Sequence, residues 1–149
     1  MPALITFGRI LFAALFIYVG VSQLLAIDAT ASDITKKMAF PGLLDPYIAQ
    51  LETLTSMKMP QMLAMASGVF QVIAGLMIAL NFGARFFAFL LIFFIAVATF
   101  YFHNFWSQAP ADPREILDTL KNLSLIGALF IIAGYGKGPR SVEPAYGDV

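Results

Sequence analysis

Four apolar stretches, at residues 4–27, 60–80, 86–106 and 117–135, occupy most of a 149-residue chain, and almost every charged side chain falls in the gaps between them. A helix rises ~1.5 Å per residue and the hydrocarbon core of a bilayer is ~30 Å thick, so ~20 apolar residues suffice for one crossing. Lipid offers no hydrogen-bond partner to a bare backbone, so each crossing must be a helix. The runs lack the two-residue alternation of a transmembrane β-strand. The expectation is therefore an all-α fold: an integral membrane four-helix bundle, one domain over residues 1–149, with a polar tail at 139–149.

Composition agrees, since 60% of residues are hydrophobic and only 12% are charged, against roughly 25% charged in soluble domains. The nine basic residues are scattered and formal net charge is zero, so the chain lacks the basic footprint of nucleic-acid binding. With no cysteine, a disulfide, a thiolate-held cluster and a covalent thiol intermediate are excluded. The first run is longer than the 7–15-residue core of a signal peptide, so it reads as a retained first helix. Both termini then lie on one side. Arg85 in the short turn at 81–85 and the seven acids from Asp28 to Asp118 on the opposite side place the termini in the cytoplasm.

Between the first two runs lies a polar segment containing Pro41, Gly42 and Pro46. Within it Leu43, Leu44, Tyr47, Ile48, Leu51 and Leu54 recur at helical steps, which predicts a short amphipathic helix in the first external loop, against the bundle or in the headgroup layer. Pro60 suits the first turn of helix two, and Asn81 and Gly83 suit the reversal after it. Along helix two Ala64, Gly68, Gln71, Gly75 and Ala79 make a stripe of mostly small residues, the kind of face through which helices approach in lipid. Asp112, Pro113 and Glu115 read as the N-cap, first-turn proline and capping acid of helix four.

Helix three is aromatic on every side, with Phe86, Phe87, Phe89, Phe93, Phe94, Phe100, Tyr101, Phe102, Phe105 and Trp106. Such a surface faces lipid or another membrane subunit, or a second copy of the chain. Gln71, at mid-depth on the small-residue face with Gly68 and Gly75, needs a hydrogen-bonding partner on another helix, because an unpaired amide in an apolar medium costs several kcal/mol, roughly 2–7. Counting along the helices puts Gln23, His103 and Asn122 within ~5 to 8 Å of one interface, with Lys121, Trp106 and Tyr101 at a similar level. That ring is a candidate site for the polar head of a quinone or lipid, its tail lying between helices. The competing reading is an ordinary interfacial belt with a snorkelling lysine.

His103 is the sole histidine, so bis-histidine haem ligation within the chain is impossible. No Ser/His/acid arrangement is present, because the acids lie outside the spans, and no catalytic residue is assigned. No buried carboxylate or paired charge marks an ion-driven transporter.

These residues taken together resemble the DoxX family of small four-helix membrane proteins over nearly the whole chain. The matching pieces are Gly8-Arg9, Tyr18-Val-Gly20-Val-Ser-Gln-Leu-Leu25, Gly68 through Gly75, Gly83-Ala-Arg85, Ala98-Thr-Phe-Tyr-Phe-His103-Asn-Phe-Trp106, Lys121-Asn122-Leu-Ser-Leu-Ile-Gly127 and Gly134-x-Gly136-x-Gly138-Pro. The resemblance implies a multi-pass protein of a bacterial-type inner membrane, a component of redox or respiratory-type assemblies linked to quinone-coupled thiosulfate oxidation. In that family the positions of Gln71 and Gln23 often carry glutamate and lysine, and their absence here weighs against proton-coupled or anion-handling chemistry. Three readings follow: a non-catalytic accessory subunit docking or self-associating through helix three, a quinone-binding redox subunit, and a small-molecule carrier.

Overall fold

Long runs of Leu, Ile, Phe and Ala between helix-stopping residues produce helices almost without interruption in the computed structural model, which describes residues 2–38, 45–102 and 112–135. Six helices are described: α1 (Pro2–Leu25), α2 (Ile27–Lys37), α3 (Asp45–Thr55), α4 (Met59–Ala79), α5 (Ala84–Phe102) and α6 (Pro113–Tyr135). No strand occurs among the described residues. Four of the helices, α1, α4, α5 and α6, are long and apolar enough to cross a membrane.

Local chemistry sets the boundaries. Gln61 Oε1 accepts from the Lys58 amide at 3.2 Å, and Glu52 of α3 accepts from the Met59 amide at 2.8 Å, so a carboxylate meets the first turn of α4. At the far end Asn81 and Gly83 both adopt φ of 59°, and the Phe82 amide donates back to the Met77 carbonyl at 2.9 Å, which reverses the chain into α5. Asp112 caps α6 by accepting from the Arg114 amide at 2.9 Å. The helix starts at Pro113, as the Asp112 cap and first-turn proline implied, four residues before the apolar run at 117.

α4 is the centre of the fold. It packs against α1 and α2 on one side and α5 on the other, and α5 in turn carries α6. A third of its most apolar window (33%) is enclosed, against 11–17% for the other three spans. The α1–α4 contact is close because small residues meet there. A Cβ on Gly20 would come within 2.6 Å of the Gly68 carbonyl, and one on Gly75 within 2.8 Å of Ile17. Towards the Asn81–Gly83 turn, the row α1–α4–α5–α6 closes on a core of Ala13, Phe16, Ile78, Leu91, Leu129 and Ala133.

Outward, Phe86, Phe89, Phe93 and Phe100 of α5 and Leu117, Leu120, Leu123 and Ile131 of α6 are all exposed. In water an apolar surface this extensive would be a liability; in a bilayer it is the solvated face.

The first loop differs from its expected form. α1 ends at Leu25, a turn at Ala26 follows, and the chain continues as α2 before α3 begins. Ile27, Ala31 and Ile34 recur at four and three residues, and Ala31 and Ile34 are buried. This is a helix whose polar outer face resembles a loop in composition. The amphipathic helix foreseen further on exists as α3, with Tyr47, Leu51 and Leu54 exposed and no buried residue; Leu43 and Leu44 lie outside the described residues.

Candidate functional site

Where the helix row closes at one end and splays at the other, a cavity of about 1140 Å³ remains, walled by α1, α2, α4, α5 and α6. It is somewhat larger than most small-molecule sites, which run to roughly 1,000 Å³. Most of its wall is apolar, from residues such as Val19, Leu63, Phe94 and Ala98. Polar groups are few and layered by depth.

The deepest are three. Gln71, only 4% exposed, donates from Nε2 to Gln23 Oε1 at 2.8 Å. Ser67 Oγ lies 3.2 Å from the same Gln23 oxygen and 3.0 Å from the Ala64 carbonyl, and its single proton serves one or the other. All three side chains line the cavity. Gln71 stands in the fourth turn of α4, about 18 Å along the axis from Met59 at ~1.5 Å per residue, so the cluster sits near the middle of the α4 span.

That depth corrects the count made from helix ends. Gln23 is close to the last residue of α1, but the end of α1 is not at the membrane surface. The chain runs on as α2 beside the first turns of α4, where Asp28 accepts from Gln61 Nε2 at 2.9 Å. Gln23 is thereby drawn down to Gln71.

On the facing wall Asn122 donates to Thr99 Oγ1 at 2.9 Å, tying α6 to α5, and Asn122 also lines the cavity. Asn122 is in the third turn of α6, next to Lys121.

Charges gather at the mouth. Lys37, at the end of α2, donates to the Phe102 carbonyl at 2.8 Å and pairs with Glu115 at 3.7 Å. Asp33 pairs with Lys36 at 3.6 Å and Lys121 with Asp118 at 2.9 Å. α2 is thus pinned at both ends, by Asp28 to α4 and by Lys37 to α5 and α6, and lies across the opening.

Of the residues singled out from the sequence, Gln23, Gln71, Asn122, Lys121 and Tyr101 share this one cavity. Gly68 and Gly75 belong instead to the α1–α4 contact. His103 and Trp106 lie outside the described residues. Beyond these, the structure adds Ser67, Asp33 and Lys37 to the cavity and Thr99 to its wall contact. Ser67 was findable, being one turn before Gln71 on the same face; Asp33 and Lys37 were hidden in the segment read as loop.

Neutral amides and hydroxyls can bind and orient a ligand, and among the described residues no three His, Cys, Asp or Glu side chains converge as a metal would require.

Among family models, that of DoxX matches residues 4–104, over half of the chain. The chain belongs to the DoxX family. This DoxX protein is 27% identical over 143 residues to the inner membrane protein YphA of Escherichia coli strain K12, covering 95% of this chain and 89% of that one. It is also 33% identical over 78 residues to a Surfeit locus protein 4 homolog of Schizosaccharomyces pombe. That match takes in 50% of this chain and only 26% of the yeast protein, so the chain spans about a quarter of that relative's length. No solved structure matches the DoxX chain.

Proposed function

We propose that this DoxX membrane protein holds a quinone-type lipid in the cavity beneath α2, serving a redox assembly as a binding subunit rather than as an enzyme in its own right. One observation carries the reading: a cavity large enough for a ring and several isoprene units has hydrogen-bonding amides at its deepest part and apolar walls elsewhere. Gln23, Gln71 and Asn122 hold the head, and Tyr101 and Phe94 flank it. When bound, the quinone supplies electron-accepting chemistry; the chain's own residues bind and orient it and keep water out. Lys121 stands at the mouth of this site, and His103 and Trp106, the other head-group residues proposed from the sequence, lie outside the described residues.

The resemblance to an inner membrane protein of E. coli along nearly the whole chain supports the same membrane here, and the charge distribution supports cytoplasmic termini. The test is solvent extraction of the protein purified in mild detergent from native membranes. Stoichiometric quinone is the expected result, reduced at least tenfold by Ala98→Phe, which fills the cavity wall; absence of any quinone in the native protein rules the reading out.

A second reading rests on α5. Phe86, Phe89, Phe93 and Phe100 form an exposed ridge at steps of three, four and seven residues, a surface suited to packing against another membrane subunit or a second copy. Replacing Phe89 and Phe93 by alanine then converts the detergent-extracted assembly to a monomer on native gels, whereas an unchanged size refutes it.

A further inference from the structure

We infer that the deep end of the cavity is built for a neutral hydroxyl, a group that both gives and takes a hydrogen bond, so that the site prefers the reduced quinol over the quinone.

The argument is a count of donors and acceptors. A primary amide has one carbonyl acceptor and two N–H donors. Gln71 spends one N–H on Gln23 and keeps the other, and the Gln23 carbonyl accepts that bond with the Ser67 hydroxyl also in reach. Among the described residues nothing donates to the Gln71 carbonyl and nothing accepts from the Gln23 amide nitrogen. Turning both amides over together keeps the bond and leaves the same kind of remainder, one open carbonyl and three open N–H groups. Gln71 is 96% enclosed yet borders the cavity, so its carbonyl can be satisfied only from within it, while Gln23 is half-buried beside it.

The charge layout narrows the ligand. The charged side chains of the cavity, Asp33, Lys37 and Lys121, lie at the mouth and already pair with Lys36, Glu115 and Asp118. An ionic head carried down to Gln71 would meet no counter-charge in an apolar medium, which excludes a phospholipid head at that depth. A quinone carbonyl takes a hydrogen bond from the Gln23 or Gln71 N–H groups but offers none to the Gln71 carbonyl, which is left to water or unpaired. A quinol hydroxyl does both. An unpaired buried polar group in a binding site commonly changes affinity by tenfold or more.

This inference rests on the quinone reading above, and the test separates the two. The full chain, reconstituted in lipid nanodiscs, is titrated anaerobically with a short-tailed benzoquinol and with its quinone, then with a long-chain alkylphenol and its methyl ether. Quinol binding at least tenfold tighter than quinone, with the preference abolished in Gln71→Met, is expected. Quinone binding as tightly as quinol overturns the inference and leaves the quinone site standing. If neither redox form binds but the phenol outcompetes its ether, the donor–acceptor site stands and the quinone reading falls; if phenol and ether also bind alike, both fall. The comparison of ligands on the unaltered protein does not depend on how well the variant folds.

Discussion

Gln71 and Gly75 sit one turn apart on the same face of α4, and the structure assigns them opposite sensitivities. Gln71→Leu removes one interhelical hydrogen bond, an interaction worth about 1 kcal/mol in membrane bundles, while leucine fits its apolar surroundings. Gly75→Leu drives a side chain into Ile17 and the Ala13 carbonyl, where even a Cβ comes within 2.8 and 3.1 Å, and overpacking of this kind costs about 3 kcal/mol or more. Thermal melting in detergent therefore shows a fall of a few degrees for the first variant and loss of the folded protein for the second. The reverse order contradicts the packing. The need for a partner at Gln71 was legible in the sequence, because a mid-membrane amide has no solvent. That the partner is Gln23 was not, since its position near the end of an apolar run suggested a shallow site; only the continuation of the chain beside α4 reveals its depth.

At the scale of elements, α2 is the feature that composition concealed. The spans were readable from length and hydropathy alone, and Pro60, Asn81, Gly83 and Asp112 marked their ends from known backbone preferences. α2 carries acids, lysines and hydroxyls on its outer face, and its apolar line is only Ile27, Ala31 and Ile34, too short to announce itself beside a run of more than twenty apolar residues. Its attachment predicts separable effects. The Lys37–Glu115 pair is partly exposed (43% and 24%), so Lys37→Ala changes stability by less than about 1 kcal/mol. The same change frees one end of the helix across the cavity mouth, and ligand release measured by stopped-flow exchange becomes several-fold faster. An unchanged release rate would show that α2 does not control access.

For the whole molecule, the asymmetry between the two ends of the bundle matters most. Small and aliphatic residues seal the end near the Asn81–Gly83 turn, and the opposite half opens into a space framed by five helices. Fold class and family were legible because a bilayer admits few solutions for four apolar runs. The cavity was not, because it arises from how far neighbouring helices splay, a property of side-chain packing that no single segment encodes. The even number of spans predicts that both termini lie on one side, and reporter fusions at each end give cytoplasmic signals if the charge argument holds; a periplasmic signal from both reverses the orientation without altering the site. The cavity itself is tested most directly by photolabelling in native membranes with a quinone that carries a photoreactive group on its ring. The account predicts crosslinks at Val19, Leu63, Phe94 and Ala98, inside the cavity, and their disappearance when excess unlabelled quinol is added. Labels spread over the lipid-facing Phe93, Leu120 and Leu123, unaffected by competitor, would contradict it.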